Sequence, residues 1–307
     1  MINLKHISAV MAVIQEGSFT AASKKLFISQ PALSQTIKQA ESDLGAPIFN
    51  RMTTPVELTY AGKIFVDSAR QILTIDHNLH AMVAVAQGES SGRFVLGIPM
   101  ERSLHLLPAV IPDFLKIYPH VKLILHEEPS MVLQRMTLEK QCDLAFVTSD
   151  AKRSQLEYLL LQNENPVLIA SKSAPISKRF ADGCEIDLAD AADERFISMS
   201  SGHSIRILQD LLFKQHAISP EILLETCNLE TARRLTSKTD AVFILPDSFL
   251  SLFADEQFPV NIYHIRSSGI THPFYACFPK NTELTPYAKA MVRLICLHLS
   301  VPCPLDT

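Results

Sequence analysis

A short run of polar side chains near the N-terminus has the types and spacing needed to read a DNA duplex. From Ser29 to Lys38 the chain reads SQPALSQTIK. At about 100° per residue, a helix gathers its apolar positions on one side and presents its hydroxyl, amide and ammonium groups on the other. Gln and Ser bond base edges or phosphates, and Lys neutralises a phosphate. The pattern alone fits an ordinary solvated helix face equally well.

The neighbouring elements favour the DNA-reading interpretation. Ser18 caps a second short helix that runs to Leu26, and a turn of a few residues leads to a third helix, which Ser29 caps and Gly45 ends. A helix, a tight turn and a second helix form the motif that sets a helix in the major groove. A supporting first helix is predicted from apolar residues at spacings of three and four: Leu4, Ile7, Met11 and Ile14.

A long helical pattern follows, from Tyr60 to Gln87, with a heptad seam along it. One interpretation is a helix packed on its own domain. Its position between two separate units favours dimerisation instead. The apolar residues predicted to form the dimer contact are Phe65, Ile72, Ile75, Leu79 and Met82.

After the flexible GESSG break at 88–92, the pattern changes to alternating strands and helices, which predicts a mostly parallel α/β architecture. Periodicity leaves open whether this region forms one sheet or two subdomains. Helices are predicted at 104–118 and 205–216. The predicted strands are 94–98, 121–126, 144–148, 167–171, 196–199, 222–225, 241–245 and 274–278.

The length and the net charge of the chain limit these interpretations. The 307 residues suggest two folded units of about 150 residues each. The net charge of −4 argues on average against a nucleic-acid binder, but it is unevenly spread. Residues 1–60 sum to +1 and the remainder to −5. The N-terminal unit therefore has a small excess of positive charge, and the rest of the chain is acidic.

Other functional classes find little support. The chain has no GxGxxG, P-loop or HExxH motif, and the consecutive Glu127 and Glu128 diverge on a strand, so we expect no enzyme activity. The six cysteines are scattered without a CxxC pair, which predicts reduced thiols, no metal site and no cofactor. No export signal or membrane-length apolar run is seen, so a cytoplasmic location without membrane contact is expected.

The segment EGSFTAASKKLFISQPALSQTIKQAESDLGAPIFNR, followed by LTYAG, closely resembles the winged helix-turn-helix of LysR-type transcriptional regulators. The likeness extends more loosely to Leu107-Pro108, Tyr118-Pro119 and the CDLA of 142–145. Two departures are notable. Gln35 stands where the family often has arginine, and the wing at 52–57 lacks the usual basic residues, which predicts a shallow salt dependence of DNA binding.

The resemblance implies an all-α winged helix-turn-helix at 1–59, a dimerisation helix and hinge at 60–90, and an effector-binding domain at 91–307. That last domain would have two α/β subdomains, 91–161 with 268–307 and 162–267, joined by two crossover strands as in type 2 periplasmic-binding proteins. An effector would occupy the cleft between them, where helix N-termini attract anions. Arg102 beside the first cleft segment favours an anionic effector, although surface placement fits equally well.

Site residues are carried over by position. The DNA-binding residues implied are Ser29, Gln30, Pro31, Ser34, Gln35, Lys38 and Arg51. The effector-binding residues implied are Met100, Ser103, Ser130, Thr148, Ser200, Ser201, His203 and Asn228. For each serine or asparagine among the latter, plain helix capping is an equal alternative.

The expected function is that of a ligand-responsive regulator of transcription. It would bind double-stranded operator DNA as a homodimer or homotetramer, take a small-molecule effector, and contact RNA polymerase. Two alternatives stay open at this point. One is a solute-binding or enzymatic α/β protein with an incidental helical N-terminus. The other is a regulator that senses oxidation directly through Cys184 or Cys227.

Overall fold

A computed structural model describes residues 1–50, 56–86, 91–148, 152–253, 259–266 and 269–306 of the chain. The chain divides into two compact units, Met1–Gln87 and Gly88–Thr307. Among the described residues, no helix combines the length and the apolar character needed to cross a bilayer.

The N-terminal unit is helical with one small strand pair. Its elements are α1 (Leu4–Glu16), α2 (Phe19–Lys25), α3 (Gln30–Leu44), β1 (Phe49–Asn50), β2 (Glu57–Leu58) and α4 (Tyr60–Ala86). Side chains cap the first three helices: Asn3 accepts from the backbone N–H of His6, and Ser18 from that of Ala21. Gly45 ends α3 in the left-handed region at φ 78°, which glycine adopts without strain.

The core of the N-terminal unit lies where α1, α3 and the start of α4 meet. From α1 it takes Val10 and Val13, whereas Leu4, which the spacing assigned to the buried face, is exposed. Leu33 and Ile37 of α3 are fully buried, as predicted. The buried face of α1 is therefore rotated slightly from the predicted one, and it includes Ala9 and Ala12.

The C-terminal unit begins with a five-stranded sheet in the order β4-β3-β5-β13-β6. We call the part built on it the first subdomain. Its elements are β3 (Ser91–Ile98), α5 (Met100–Ile117), β4 (His120–Glu127), α6 (Ser130–Leu138), β5 (Leu144–Thr148), β6 (Leu156–Glu164), β13 (His272–Pro279) and α10 (Pro286–Leu299).

The second subdomain is built on a six-stranded sheet in the order β10-β9-β11-β7-β12-β8. Its strands are β7 (Pro166–Ser171), β8 (Glu185–Ile186), β9 (Phe196–Met199), β10 (Ile222–Thr226), β11 (Val242–Pro246) and β12 (Val260–Ile265). Its helices are α7 (Pro175–Arg179), α8 (Ser204–Gln215) and α9 (Leu229–Lys238), with 3₁₀ turns at Leu188–Ala191 and Asp247–Phe253.

The predicted α/β class is confirmed, with one correction to the strand directions. The chain crosses between the sheets through β6 into β7 and again between β12 and β13. These strands run antiparallel to their neighbours: β13 against β5 and β6, and β7 against β11 and β12. Both sheets are therefore mixed, although parallel pairs outnumber antiparallel ones by five to four among their described strands. Because β6 reaches Glu164 inside the first sheet, the crossover lies three residues beyond the predicted end at 161.

Candidate functional sites

The exposed face of α3 carries the polar residues that the sequence assigned to DNA. Ser29 accepts the backbone N–H of Ala32 at 3.3 Å and so begins the helix. The buried residues of α3 hold its opposite face to the core. On the outer face, Ser29, Gln30, Pro31, Gln35 and Lys38 are exposed and Ser34 is half-buried. Arg51 lies outside the described residues.

The turn before α3 and the helix α2 each add one residue that sequence reasoning missed. Phe27 adopts φ 55° and is 94% exposed, so it projects from the turn into solvent. The hydroxyl of Thr20 on α2 donates to the side-chain oxygen of Gln30 at 3.3 Å, which leaves the amide N–H donors of Gln30 for another partner. Both belong to the same exposed surface as the start of α3.

Polar contacts fix the strand pair to α3 and to the start of α4. The carboxylate of Glu41 accepts the backbone N–H groups of Ile48 and Phe49, at 2.9 and 3.3 Å. Thr59 donates to the carbonyl of Pro47 at 2.6 Å and accepts the N–H of Gly62 at 2.9 Å. A Cβ at Gly62 would lie 2.1 Å from the carbonyl oxygen of Ile48. The LTYAG motif therefore starts α4 against this loop.

Two of the cations near α3 are paired, whereas in the described part of the chain Lys38 is not. Lys25 contacts Glu16 at 2.7 Å, and the N-terminal amine contacts Asp43 at 2.9 Å. The hydrogen bond from that amine lowers the pKa of the Asp43 carboxyl. Lys38 is exposed and has no ion-pair partner among the residues described here, so its charge remains available to a phosphate.

The predicted seam along α4 divides into two parts. Phe65 is buried in the core of its own unit, which removes it from any dimer contact. Further along, Ile72, Ile75 and Leu79 are 43%, 68% and 57% exposed. The side chain of Met82 lies outside the described residues. An apolar row this exposed on a helix needs another surface to cover it.

In the first subdomain, the predicted cleft residues come from three segments that meet at one edge of the sheet. Ser130, which starts α6, lies 3.2 Å from the hydroxyl of Thr148 at the end of β5, and its Oγ accepts the N–H of Thr148 at 3.0 Å. Ser103 donates to the carboxylate of Glu127 and is buried in α5. Met100 is exposed at the start of α5.

In the second subdomain, two of the four predicted residues serve as helix caps. Asn228 accepts the N–H of Thr231 at 2.9 Å and starts α9. Ser200 donates its backbone N–H to the carbonyl of Thr226, and Ser201 is exposed. Nδ1 of His203 accepts the N–H of Ile205 at 3.2 Å, so His203 caps α8.

His203 also reaches the other subdomain. Its Nε2 lies 3.1 Å from the carboxylate of Glu101 at the start of α5. Because Nδ1 accepts a backbone bond, the proton sits on Nε2 and is donated to Glu101. Burial raises the pKa of the Glu101 carboxyl, but the hydrogen bond and charge of His203, a backbone hydrogen bond and the charge of Arg102 together outweigh it, and the pKa lies below its usual value. Glu101 was absent from the predicted site.

Arg102 is neither on the surface nor open to a ligand. It is 1% exposed and ion-paired with Glu164, and its guanidinium lies 4.5 and 4.6 Å from the ring centres of Phe249 and Phe274. Oε2 of Glu164 also accepts from Nδ1 of His272 at 2.9 Å. The premise for an anionic effector is therefore wrong, since Glu164 already neutralises the cation.

A shallow depression that encloses only about 20 Å³ opens beside these groups. It joins the sheet edge at Thr148 to α8 and to the second crossover. Its lining residues are Thr148, Ser204, Ile207, Leu208, Leu211, Thr271, His272 and Pro273. Only Thr148 of these was predicted, since distant segments build the wall and no local motif marks it.

The cysteines are the remaining groups that could bind a metal or form a disulfide. All six cysteines are free thiols, three of them buried. Burial raises the pKa of the Cys142 and Cys277 thiols to about 12, which makes them poor nucleophiles. Among the described residues, no group of His, Cys, Asp or Glu side chains is placed to hold a metal ion.

Comparison with known proteins agrees with this geometry. Residues 4–63 match the family model described as "Bacterial regulatory helix-turn-helix protein, lysR family", and residues 87–297 match "LysR substrate binding domain". A curated relative, the HTH-type transcriptional regulator CbbR of Rhodospirillum rubrum, is 25% identical over 297 residues, covering 95% of each chain.

Solved structures share the fold. A full-length OxyR variant from Pseudomonas aeruginosa aligns with a TM-score of 0.74 at 19% identity, over 99% of this chain and 96% of that one. Full-length CbnR in complex with its target DNA aligns with a TM-score of 0.61 at 22% identity, over 96% of this chain and 99% of that one. The two matched regions together take in both units described above.

Proposed function

The chain belongs to the LysR family of bacterial DNA-binding transcriptional regulators, and we propose that it reads operator DNA through the outer face of α3. The observation that carries this proposal is the polar, exposed face of α3 opposite three buried apolar residues. Gln30 and Gln35 present amides that suit base edges, and Lys38 presents a free cation for a phosphate. Members of this family are regulators and not enzymes.

Two copies of the chain would act together. The exposed row of Ile72, Ile75 and Leu79 on α4 is what a second α4 would cover. Pairing along this helix would present two copies of α3 to half-sites a whole number of duplex turns apart. Such an arrangement explains how a reading unit of only +1 charge binds, because two sets of specific contacts add where bulk attraction is weak.

Effector control is assigned to the cleft between the two subdomains. The predicted residues nearest to it, Thr148 and His203, belong to opposite sides. A ligand that contacts both subdomains changes the equilibrium between their relative arrangements only if it binds one arrangement more tightly than the other. That shift would change the geometry of the dimer on DNA, and with it DNA bending or contact with RNA polymerase.

An electrophoretic shift with DNA from upstream of the protein's own gene tests the proposal. We expect Gln35→Ala and Lys38→Glu to abolish the shift at protein concentrations that saturate the wild-type complex. Ser103→Ala, a change inside the C-terminal unit, should leave it intact. Equal binding by all four proteins would refute the assignment of α3 as the reading helix.

A further inference from the structure

The last described residues of the chain fold back along the end of α10. Ser300 ends the helix in the left-handed region at φ 55°, and the N–H of Val301 then donates to the carbonyl of Cys296 at 3.0 Å. Further along the tail, Asp306 accepts from Nε and Nη2 of Arg293 at 3.0 and 2.9 Å. Arg293 and Cys296 are three residues apart on α10 and share one face of it. The tail is therefore held against that face at both of its ends.

Between these two contacts, the tail brings a second cysteine to the first. The side chain of Cys303 lies within hydrogen-bonding reach of the Cys296 thiol, and both thiols are free. The N–H of Asp306 donates to the carbonyl of Cys303 at 3.1 Å. Pro302 and Pro304 flank Cys303, and their fixed φ angles restrict the backbone around it. The fold therefore pairs two cysteines on a restrained segment.

The two thiols differ in their surroundings. Cys296 is 1% exposed, whereas Cys303 is half-buried and reaches solvent. Burial, then the neighbouring Cys303 and the charge of Asp306, raises the pKa of the Cys296 thiol to about 12. The pKa of the Arg293 guanidinium is raised mainly by Asp306 and further by a charge on Cys303, so a thiolate there is attracted to this cation. Because the thiolate is the nucleophile, Cys303 is the residue that reacts first.

We propose that Cys303 and Cys296 form a redox-sensitive pair, which low-molecular-weight disulfides oxidise to an internal disulfide. The Cys303 thiolate attacks one sulfur of the small disulfide RSSR, a bond forms to Cys303, and RS⁻ leaves with the electron pair of the broken S–S bond. Cys296 then gives its proton to water and attacks Sγ of Cys303, which releases the second RS⁻. Two protein thiols are thereby oxidised, and RSSR is reduced to two thiols as each RS⁻ takes up a proton.

The first step makes the second easier. Once Cys303 carries a neutral mixed disulfide, it no longer bears the charge that helps to raise the pKa of Cys296. The attack by Cys296 is also intramolecular, so its rate depends on the effective concentration that the folded tail provides.

The internal disulfide would fasten the tail to a helix that packs on α5. The hydroxyl of Tyr118, just after α5, donates to the carbonyl of Pro286 at 3.4 Å, and its ring centre lies 4.9 Å from that of Tyr287. The redox state of the tail would thus reach the first subdomain from outside the cleft. This role goes beyond the proposed function and does not depend on DNA binding, so a failed operator shift would leave it standing.

Mass spectrometry of one tryptic peptide tests the proposal on the full-length chain. Trypsin cuts after Arg293, and the peptide that begins at Leu294 contains Cys296 and Cys303 together. The folded protein is treated with oxidised glutathione and then quenched with N-ethylmaleimide in denaturant. We expect this peptide to lose two hydrogen atoms and to carry neither reagent, and dithiothreitol before the quench should restore two N-ethylmaleimide groups. N-ethylmaleimide on both cysteines of the oxidised sample, or glutathione retained there, would overturn the proposal.

Urea separates the contribution of the fold from that of the short sequence distance. The ratio of internal to mixed disulfide, at a known glutathione concentration, gives the effective concentration of the two thiols. We expect this value to be at least about tenfold higher in the folded chain than in the urea-unfolded chain. Equal values would mean that the fold does not hold the thiols together, and would overturn the proposal.

Three variants test the order of attack. Cys296→Ser should retain glutathione on Cys303 as a mixed disulfide, whereas Cys303→Ser should leave Cys296 unmodified while the chain is folded. Cys227→Ser, which changes an exposed cysteine outside the tail, should leave the internal disulfide unchanged. Glutathione on Cys296 in folded Cys303→Ser, or loss of the internal disulfide in Cys227→Ser, would contradict the proposed pair.

Discussion

Nε2 of His203 lies 3.1 Å from Oε1 of Glu101, so a single hydrogen bond joins the starts of α8 and α5 across the two subdomains. Both side chains are mostly shielded, at 18% exposure each. The bond therefore acts in a partly desolvated setting, where its strength exceeds that of a surface ion pair.

The first prediction concerns this bond. In a double-mutant cycle, Glu101→Ala and His203→Ser should show a coupling of about 1 kcal/mol in the free energy of unfolding by urea. Serine retains an oxygen for the N–H of Ile205, which separates loss of the cap from loss of the bond. Additive effects of the two changes would mean that the contact contributes nothing in solution.

A second prediction follows from the burial of Arg102 and Glu164. Glu164→Gln leaves the guanidinium without its counter-charge and should cost about 3–5 kcal/mol of unfolding free energy at pH 7. Removing the cation as well, with Arg102→Met beside Glu164→Gln, should restore most of that loss, because the glutamine oxygen still accepts from Nδ1 of His272. A double variant no more stable than Glu164→Gln would contradict the argument.

The same pair predicts a pH dependence. Burial raises the pKa of Glu164, but Arg102 and His272 outweigh it and lower the pKa from 4.5 to about 2. A depressed carboxyl pKa stabilises the folded state above the unfolded pKa, and that stability is lost as the pH falls towards the folded one. Urea unfolding should therefore show the cost of Glu164→Gln shrinking between pH 4.5 and about 2. A constant cost across that window would contradict the assignment.

The third prediction tests Lys38 as a phosphate contact. Lys38→Ala should weaken binding to all sequences and reduce the slope of log affinity against log salt by about 1 for each half-site bound. Lys289→Ala, which removes an exposed lysine paired with Glu283, should leave the slope unchanged. Fluorescence anisotropy with labelled DNA at several salt concentrations makes the comparison.

The fourth prediction concerns the apolar row on α4. Ile75→Glu should shift the chain towards monomers in sedimentation experiments, since it sets a charge in the proposed helix pair. Ile64→Glu makes the same change at an exposed position outside the heptad core positions, and should leave the oligomer intact. Monomers in neither variant, or in both, would contradict the proposed seam.

The sequence predictions were most accurate where they depended on local signals. Strands 144–148 and 196–199 have the predicted bounds, and Ser18, Ser29 and Gly45 start and end their helices as expected. Such features depend on a few neighbouring residues, so a single sequence contains them. The family and the class of function followed from the same local motif.

Features that depend on contacts between distant parts of the sequence could not be predicted in this way. Strand β6 was missed, because LEYLLLQNE has no simple alternation and is defined by its pairing with β13. The sequence placed Arg102 in the cleft or on the surface, because its ion-pair partner Glu164 lies 62 residues away in the sequence. The hydrogen bond of His272 could not be predicted for the same reason, because the Glu164 carboxylate that it contacts lies 108 residues away in the sequence. Burial of a charge depends on tertiary neighbours, which residue type and spacing do not specify.

Glu164 and His272 are register partners, placed where the chain makes its two crossings between the sheets. Their side chains are also hydrogen-bonded, so one buried contact joins the two crossing segments to each other. Any rearrangement of one subdomain relative to the other therefore has to keep this contact or break it.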